Sequence, residues 1–148
     1  MHKFLSPDPT YIGRPDVPPC ADAVDEELVG GTPAELKTDL IKILGEDLVR
    51  YRISDLVRYA SDASPYRYIP KVIVQPTNID HVADIFRYCI RNDRRATFRA
   101  GGTSLNGQSQ GDDILIDVRQ HWSGWEVEDN GSGFVAMLAL HLDVLTKC

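Results

Sequence analysis

The stretch from Lys71 to Val118 constrains the chain most, because its apolar residues switch from strand period to helix period and back within one short span. Lys71-Val72-Ile73-Val74-Gln75 is β-branched and is ended by Pro76, which reads as a strand. Thr77 then caps a helix, with Asp80 where a capping-box acid belongs. Ile79, Val82, Ile85, Phe86, Cys89 and Ile90 recur at spacings of three and four, and Asp84, Arg87 and Arg91 take the other side. Asn92-Asp93 ends this helix and Ala96-Thr97-Phe98 makes the next strand. Strand, helix and strand in that order predict a βαβ unit with parallel strands. Ile114-Leu115-Ile116-Asp117-Val118 supplies a further buried strand.

The two last strands are joined by Arg99-Ala100-Gly101-Gly102-Thr103-Ser104-Leu105-Asn106-Gly107-Gln108. Glycine tolerates positive φ and lets a ligand approach the backbone, so successive N–H groups in such a loop can turn inward as a nest for an anion. The loop also leaves a strand at its carboxyl end, where open α/β sheets place ligands. From the glycines alone, a plain surface turn is the other reading. Two phosphate-binding fingerprints are excluded. A P-loop requires a lysine, and none lies between Lys71 and Lys147. A Rossmann site requires G-x-G-x-x-G leading into a helix, whereas this loop leads into a strand. The loop also carries no charged phosphate partner of its own.

Upstream, residues 1–31 form an extended arm with Pro7, Pro9, Pro15, Pro18 and Pro19, an acidic patch at Asp22, Asp25, Glu26 and Glu27, and a short helical turn within Ala21 to Val29. A helix over Pro33 to Leu44 follows, with Thr32 as N-cap, Pro33 at N1, Glu35 completing a capping box and Gly45 as the stop. Its face of Leu36, Leu40, Ile43 and Leu44 is core. Val57 to Pro70 holds three tyrosines and two prolines and reads as an irregular, ordered packing segment, without a histidine to activate Asp62 or Ser64. After Val118 come a turn, a strand over Trp125 to Glu128, an Asn130-Gly131 hairpin signal, an apolar run from Phe134 to Leu140 and a helix from His141 to Lys147. His121, beside Trp122 and without a partner acid, is read as a packing residue.

Composition sets outer limits. The chain has 148 residues, 43% of them hydrophobic, which suffices for one domain or part of one. A net charge of −6 argues against a nucleic-acid partner, and Arg91, Arg94 and Arg95 suit the negative end of the helix they follow. Cys20, Cys89 and Cys148 lack metal-ligand spacing, so no metal site is expected, and Cys89 reads as a buried thiol on a helix face. The first residues lack the apolar region of a signal peptide, and no run reaches the ~18 residues of a membrane span. The expectation is a soluble, reduced, cytoplasmic chain.

At this point the residues resemble a family. The strand ending in Pro76-Thr77, the capped helix, Arg99-x-Gly101-Gly102-Thr103-Ser104-Leu105-x-Gly107-Gln108 and then Ile114 to Val118 are similar to the flavin-binding half of FAD-linked oxidases of the vanillyl-alcohol-oxidase, or p-cresol-methylhydroxylase (PCMH), type. Tyr59-Ala60-Ser61-Asp62-Ala63-Ser64-x-Tyr66 resembles the D-lactate-like, D-2-hydroxy-acid dehydrogenases in which an FAD domain is fused to an iron–sulfur domain. The resemblance spans about residues 33 to 130.

It implies an α/β (α+β) fold, the first subdomain of a PCMH-type FAD-binding domain, with a small parallel or mixed sheet and flanking helices. Residues 32–148 would be an incomplete domain of this type. Carried over by position, Pro76, Ala100, Gly101, Gly102, Thr103, Ser104, Gly107 and Gln108 would contact FAD, while Arg99 braces the loop. Some relatives attach flavin through a loop histidine. Thr103-Ser104 stands here, which implies non-covalent binding, and Ala100 replaces a glycine found in many members. The family's flavin takes a hydride from the α-carbon of a hydroxy acid. Its substrate-handling residues and any iron–sulfur cysteines lie downstream of this chain, so no catalytic residue is assigned within it, and a downstream domain or partner subunit is implied. The alternatives are a non-catalytic α/β module partnering a separate flavoprotein, and a nucleotide-binding module without redox chemistry.

Overall fold

The computed structural model describes residues 24–122, 124–128 and 133–136. The arm before Val24, Cys20, the Asn130-Gly131 turn, the apolar run beyond Ala136, the helix expected over His141 to Lys147 and Cys148 lie outside the described residues.

The main sheet contains β1 (Val49–Arg50), β2 (Val72–Val74), β3 (Ala96–Arg99) and β4 (Ile114–Asp117) in the order β1-β2-β4-β3. β2 and β3 both run parallel to β4, and β1 pairs antiparallel with β2. The expected parallel strand–helix–strand unit is present, but β4 is inserted between its two strands. Burial explains the insertion. Every residue of β4 is buried, so it belongs where both faces and both edges are covered. β3, with Phe98 exposed, takes the outer edge.

Helices α1 (Ala34–Leu44) and α3 (Ile79–Arg91) cover one face, and the short α2 (Ile53–Arg58) covers the other together with a 3₁₀ turn over Glu26–Leu28. Alternation along the strands sorts the two cores. Val72, Val74, Ile114 and Ile116 meet Leu36, Leu40, Leu44, Ile85 and Cys89 on the first face. Ile73 and Leu115 meet Leu28 and Leu56 on the second. Beyond β4, β5 (Trp125–Glu128) and β6 (Gly133–Ala136) pair antiparallel, with Glu128 opposite Gly133, as the hairpin signal between them requires.

Both expected N-caps are corrected. Thr32 does not cap α1: its hydroxyl donates to the Lys71 carbonyl at 2.7 Å, fastening the segment before α1 to the start of β2, and no capping box with Glu35 forms. The C-terminal stop is as expected, because Gly45 adopts φ 94° and its N–H donates to Ile41. In α3 the cap is Asn78, one residue later than Thr77, and its side chain accepts from the His81 N–H at 2.9 Å. His81 Nδ1 reaches back to the Thr77 N–H at 3.4 Å, so the reciprocal pattern of a capping box survives with different residues and Asp80 outside it.

The apolar face of α3 is only partly covered. Ile85 and Cys89 are buried, whereas Ile79, Phe86 and Ile90 are exposed, and Phe86 meets Phe98 edge-on with ring centroids 5.9 Å apart. Arg94 and Arg95 do more than complement the helix end. Arg94 pairs with Asp113 at 3.0 Å and Arg95 with Asp112 at 3.0 Å, which ties the chain before β3 to the chain before β4.

Replacing the observed cap should cost more than replacing the neighbouring threonine. Asn78→Ala is expected to lower stability by about 1 kcal/mol, with Thr77→Ala costing a few tenths, measured by urea denaturation. The reverse order would return the cap to Thr77.

Candidate functional site

The three parallel strands end on one rim, and the site is built there. β2 runs into Gln75-Pro76, β3 into Ala100-Gly101 and β4 into Val118-Arg119, with Arg99 opposite Asp117 in the register. Asp117 is buried and fully engaged. One carboxylate oxygen accepts from the Tyr59 hydroxyl at 2.6 Å and the Gln75 amide at 3.0 Å, and the other from the Arg119 N–H at 3.0 Å. Partial burial pushes the Tyr59 hydroxyl's pKa up, and the hydrogen bond to Asp117 adds to it. Asp117 thereby joins the ends of β2 and β4 to α2.

The glycine-rich loop is fastened at three places. Arg99 donates to the carbonyls of Tyr59 at 3.0 Å and Ser61 at 2.9 Å and lies over the Tyr59 ring, which bears out its bracing role. Gly102 sits beneath that guanidinium at φ 67°, where a Cβ would come within 2.6 Å of Arg99 Nη2. Gly107, at φ 78°, lies against the Tyr66 ring, 3.0 Å from where its Cβ would be. Inside the loop the Ser104 hydroxyl accepts from the Gln108 N–H at 3.0 Å and the Asn106 N–H at 3.3 Å, and donates to the Gln108 side chain. These bonds curl the backbone back on itself.

The third fastening is Asp62, in the tyrosine-containing segment. Its carboxylate accepts from the Ser64 N–H at 2.8 Å, the Ser109 hydroxyl at 2.8 Å and the Gln110 amide. Desolvation works against its ionisation, but the hydrogen bonds from Ser64, Ser109 and Gln110 outweigh it and hold the carboxyl well below the usual carboxylate range. Gln110 is buried and also donates to the Tyr66 carbonyl at 3.0 Å. The packing role read for Val57 to Pro70 holds for Tyr59 and Ala60, whereas Tyr66 and Tyr68 are about half exposed, and Asp62 is the segment's chief polar link.

Ala100 to Gln108 form one continuous surface at the end of β3, with Ala100 against the main core and Gly101, Thr103 and Gln108 exposed. Pro76 is not part of that cluster. It lies on the same rim at the end of β2, separated from β3 by β4 and so by about 10 Å at usual strand spacing. Its carbonyl accepts from the Trp122 indole at 2.8 Å. His121 is exposed and takes no part in the rim.

The loop suits a diphosphate. The backbone N–H groups of Gly101, Gly102, Thr103, Ser104 and Leu105 meet no acceptor among the described residues, while those of Asn106 and Gln108 are held by Ser104. N–H groups without an acceptor beside a positive-φ glycine are the backbone feature from which nests for anionic oxygens are built. Sequence reasoning missed Arg58, Tyr59 and Arg119, which face Ala100 and Gly101 across a cleft of about 150 Å³. The sequence marks Tyr59 only as part of the tyrosine-containing segment, and nothing local marks Arg58 or Arg119, since the sheet alone brings the three together. Among the described residues, no group of three or more metal-ligating side chains converges and no helix is long and apolar enough to cross a membrane.

Residues 70–138 match the family of the FAD binding domain, a span just under half the chain that takes in β2, α3, β3, the loop, β4 and the β5–β6 pair. The matched segment is thus similar to an FAD binding domain, and it has the mixed α/β architecture expected for that resemblance. Among solved structures, the chain is similar to p-cresol methylhydroxylase with substrate bound, at 14% identity and a TM-score of 0.49 over 64% of this chain. It spans 19% of that protein's length. No curated protein sequence matches.

The Asp62 link has a pH signature. A carboxylate held below its ordinary pKa of about 3.9 stabilises the fold above that value, and the contribution is lost as pH falls through the lower, folded-state value. The stability difference between the native chain and Asp62→Asn should be flat from pH 7 to about 4 and shrink below it. Urea midpoints across pH measure this. A difference that persists unchanged to pH 2 would place the effect elsewhere.

Proposed function

We propose that this chain supplies the diphosphate-binding part of a flavin-dependent oxidoreductase that oxidises a D-2-hydroxy acid, with FAD held non-covalently and in the cytoplasm. The observation that carries the flavin reading is the row of unpaired loop N–H groups at the carboxyl end of β3, inside the segment that matches an FAD binding domain. The resemblance of Tyr59 to Tyr66 to D-lactate-like dehydrogenases supports the substrate class.

Bound FAD supplies a two-electron acceptor for the substrate's hydride. The chain's own residues bind and orient it. Gly101 to Leu105 donate backbone N–H groups to the diphosphate, the Thr103 and Ser104 hydroxyls lie within the same loop, and Arg99 and Asp62 keep the loop in its curled form. Ala100 and Pro76 form apolar parts of the rim. No group on the chain is assigned to move the substrate's proton, and any iron–sulfur cluster belongs to a further domain.

A second reading, a non-catalytic module that partners a separate flavoprotein, is favoured by the uncovered apolar surface of Ile79, Phe86, Ile90 and Phe98. Flavin binding separates the two readings. FAD titrated into the chain should lose fluorescence on binding, and Gly101→Asp should weaken that binding at least 100-fold by placing a carboxylate among the donors. Gly101 suits this test because an added Cβ meets only Thr103 Cγ2, at 3.6 Å, so the urea midpoint should not move. No binding by the chain, alone or joined to a downstream FAD-binding half, would defeat the flavin reading. In the joined protein, D-lactate should bleach the bound flavin and L-lactate should not.

A further inference from the structure

We infer that Arg58 and Arg119 form a cationic seat for a phosphoryl group, set against the backbone of Ala100 and Gly101. The inference rests on the flavin reading for the ligand's identity, a diphosphate, but not for its charge. Gly101 to Gly111 contain no charged side chain, so the nest alone gives an anion dipoles and no countercharge. The cleft beside it supplies that charge. It is lined by Arg58, Tyr59, Arg99, Ala100, Gly101 and Arg119.

The three arginines differ in what they are free to do. Arg99 is committed to the Tyr59 and Ser61 carbonyls. Arg119 is exposed, and its guanidinium makes no ion pair among the described residues. Among the described residues, Arg58 has only a loose exposed contact with Asp55, at 3.8 Å, of the kind that contributes little. Of the nearby carboxylates, Asp117 already accepts from Tyr59, Gln75 and the Arg119 backbone, and Asp55 lines the adjoining cleft with only its loose contact to Arg58. Two guanidiniums are therefore left with donors facing open space, and guanidinium geometry matches phosphoryl oxygens bidentately.

Position supports an extended ligand over a lone ion. Arg58, Tyr59 and Arg119 also line an adjoining cleft of about 300 Å³ that continues over Gln75 and Arg50 towards β1, where three arginines face the single carboxylate of its lining, Asp55. A diphosphate gripped by the loop could place one phosphoryl group in the seat while the rest of the molecule runs along the rim. In a chain of net charge −6, this is a local reversal of sign at the carboxyl ends of the strands.

Calorimetric titration with inorganic pyrophosphate, and fluorescence titration with FAD, test this in the full chain at low and at moderate salt. The native chain should bind pyrophosphate. Arg58→Gln with Arg119→Gln should weaken both ligands at least tenfold and flatten the salt dependence, while Arg91→Gln, on α3 away from the rim, should leave them unchanged. Circular dichroism and urea midpoints equal to those of the native chain would confirm that the double variant is folded. Arginine-dependent binding of pyrophosphate with no binding of FAD, by the chain alone or joined to a downstream FAD-binding half, would leave the seat standing and fail the flavin reading. No pyrophosphate binding by the native chain, or FAD binding that ignores both substitutions, would overturn the seat.

Discussion

The guanidinium of Arg99 donates to the carbonyls of Tyr59 and Ser61, joining the end of β3 to a segment 40 residues earlier in the chain. It is the link that holds the start of the glycine-rich loop to that segment. Gly102 is required there because the guanidinium lies where a side chain would go, and the loop's first free N–H groups follow from that turn. Asp62 repeats the connection from the other side, accepting from Ser109 and Gln110 at the far end of the loop. Loop and tyrosine-containing segment are thus one unit.

The sheet sets where that unit stands. β4 is buried throughout and takes the centre, so β2 and β3 flank it and all three parallel strands end on a common rim. Asp117 closes the rim by binding Tyr59 and Gln75, which brings α2 against the ends of β2 and β4. The same arrangement leaves β3 at an edge and half of α3's apolar face uncovered. The rim arginines and the loop donors thus lie together, and the exposed apolar surface is made by other residues, Ile79, Phe86, Ile90 and Phe98.

Much of this was legible in the sequence because it is local. The period of Ile85 and Cys89, the β-branched run before Pro76, the glycine stop at Gly45 and the loop glycines each depend on neighbours within a few residues. The caps were missed by little. Thr77 and Asn78 are adjacent residues that both cap helices, Asn the better of the two, and Thr32 has a hydroxyl that a distant carbonyl claims. α2 was missed as an element because six residues without a side-chain cap carry little periodic signal. The insertion of β4 and the meeting of Arg58 with Arg119 were not legible, since strand order is decided by burial across the whole sheet. Exposure of Ile79 and Ile90 was hidden for the opposite reason: the helical pattern marks an apolar face but not whether anything covers it.

The central claim is that the free N–H groups of Gly101 to Leu105, held by Arg99 and Asp62, receive an anionic cofactor. Backbone amide shifts in ¹⁵N-labelled chain, followed as FAD is added, test it most directly. The account predicts the largest shifts at Gly101 to Leu105, smaller ones from Tyr59 to Tyr66, and none along α1. Shifts confined to α1 and α3, or none at any loop amide, would contradict it.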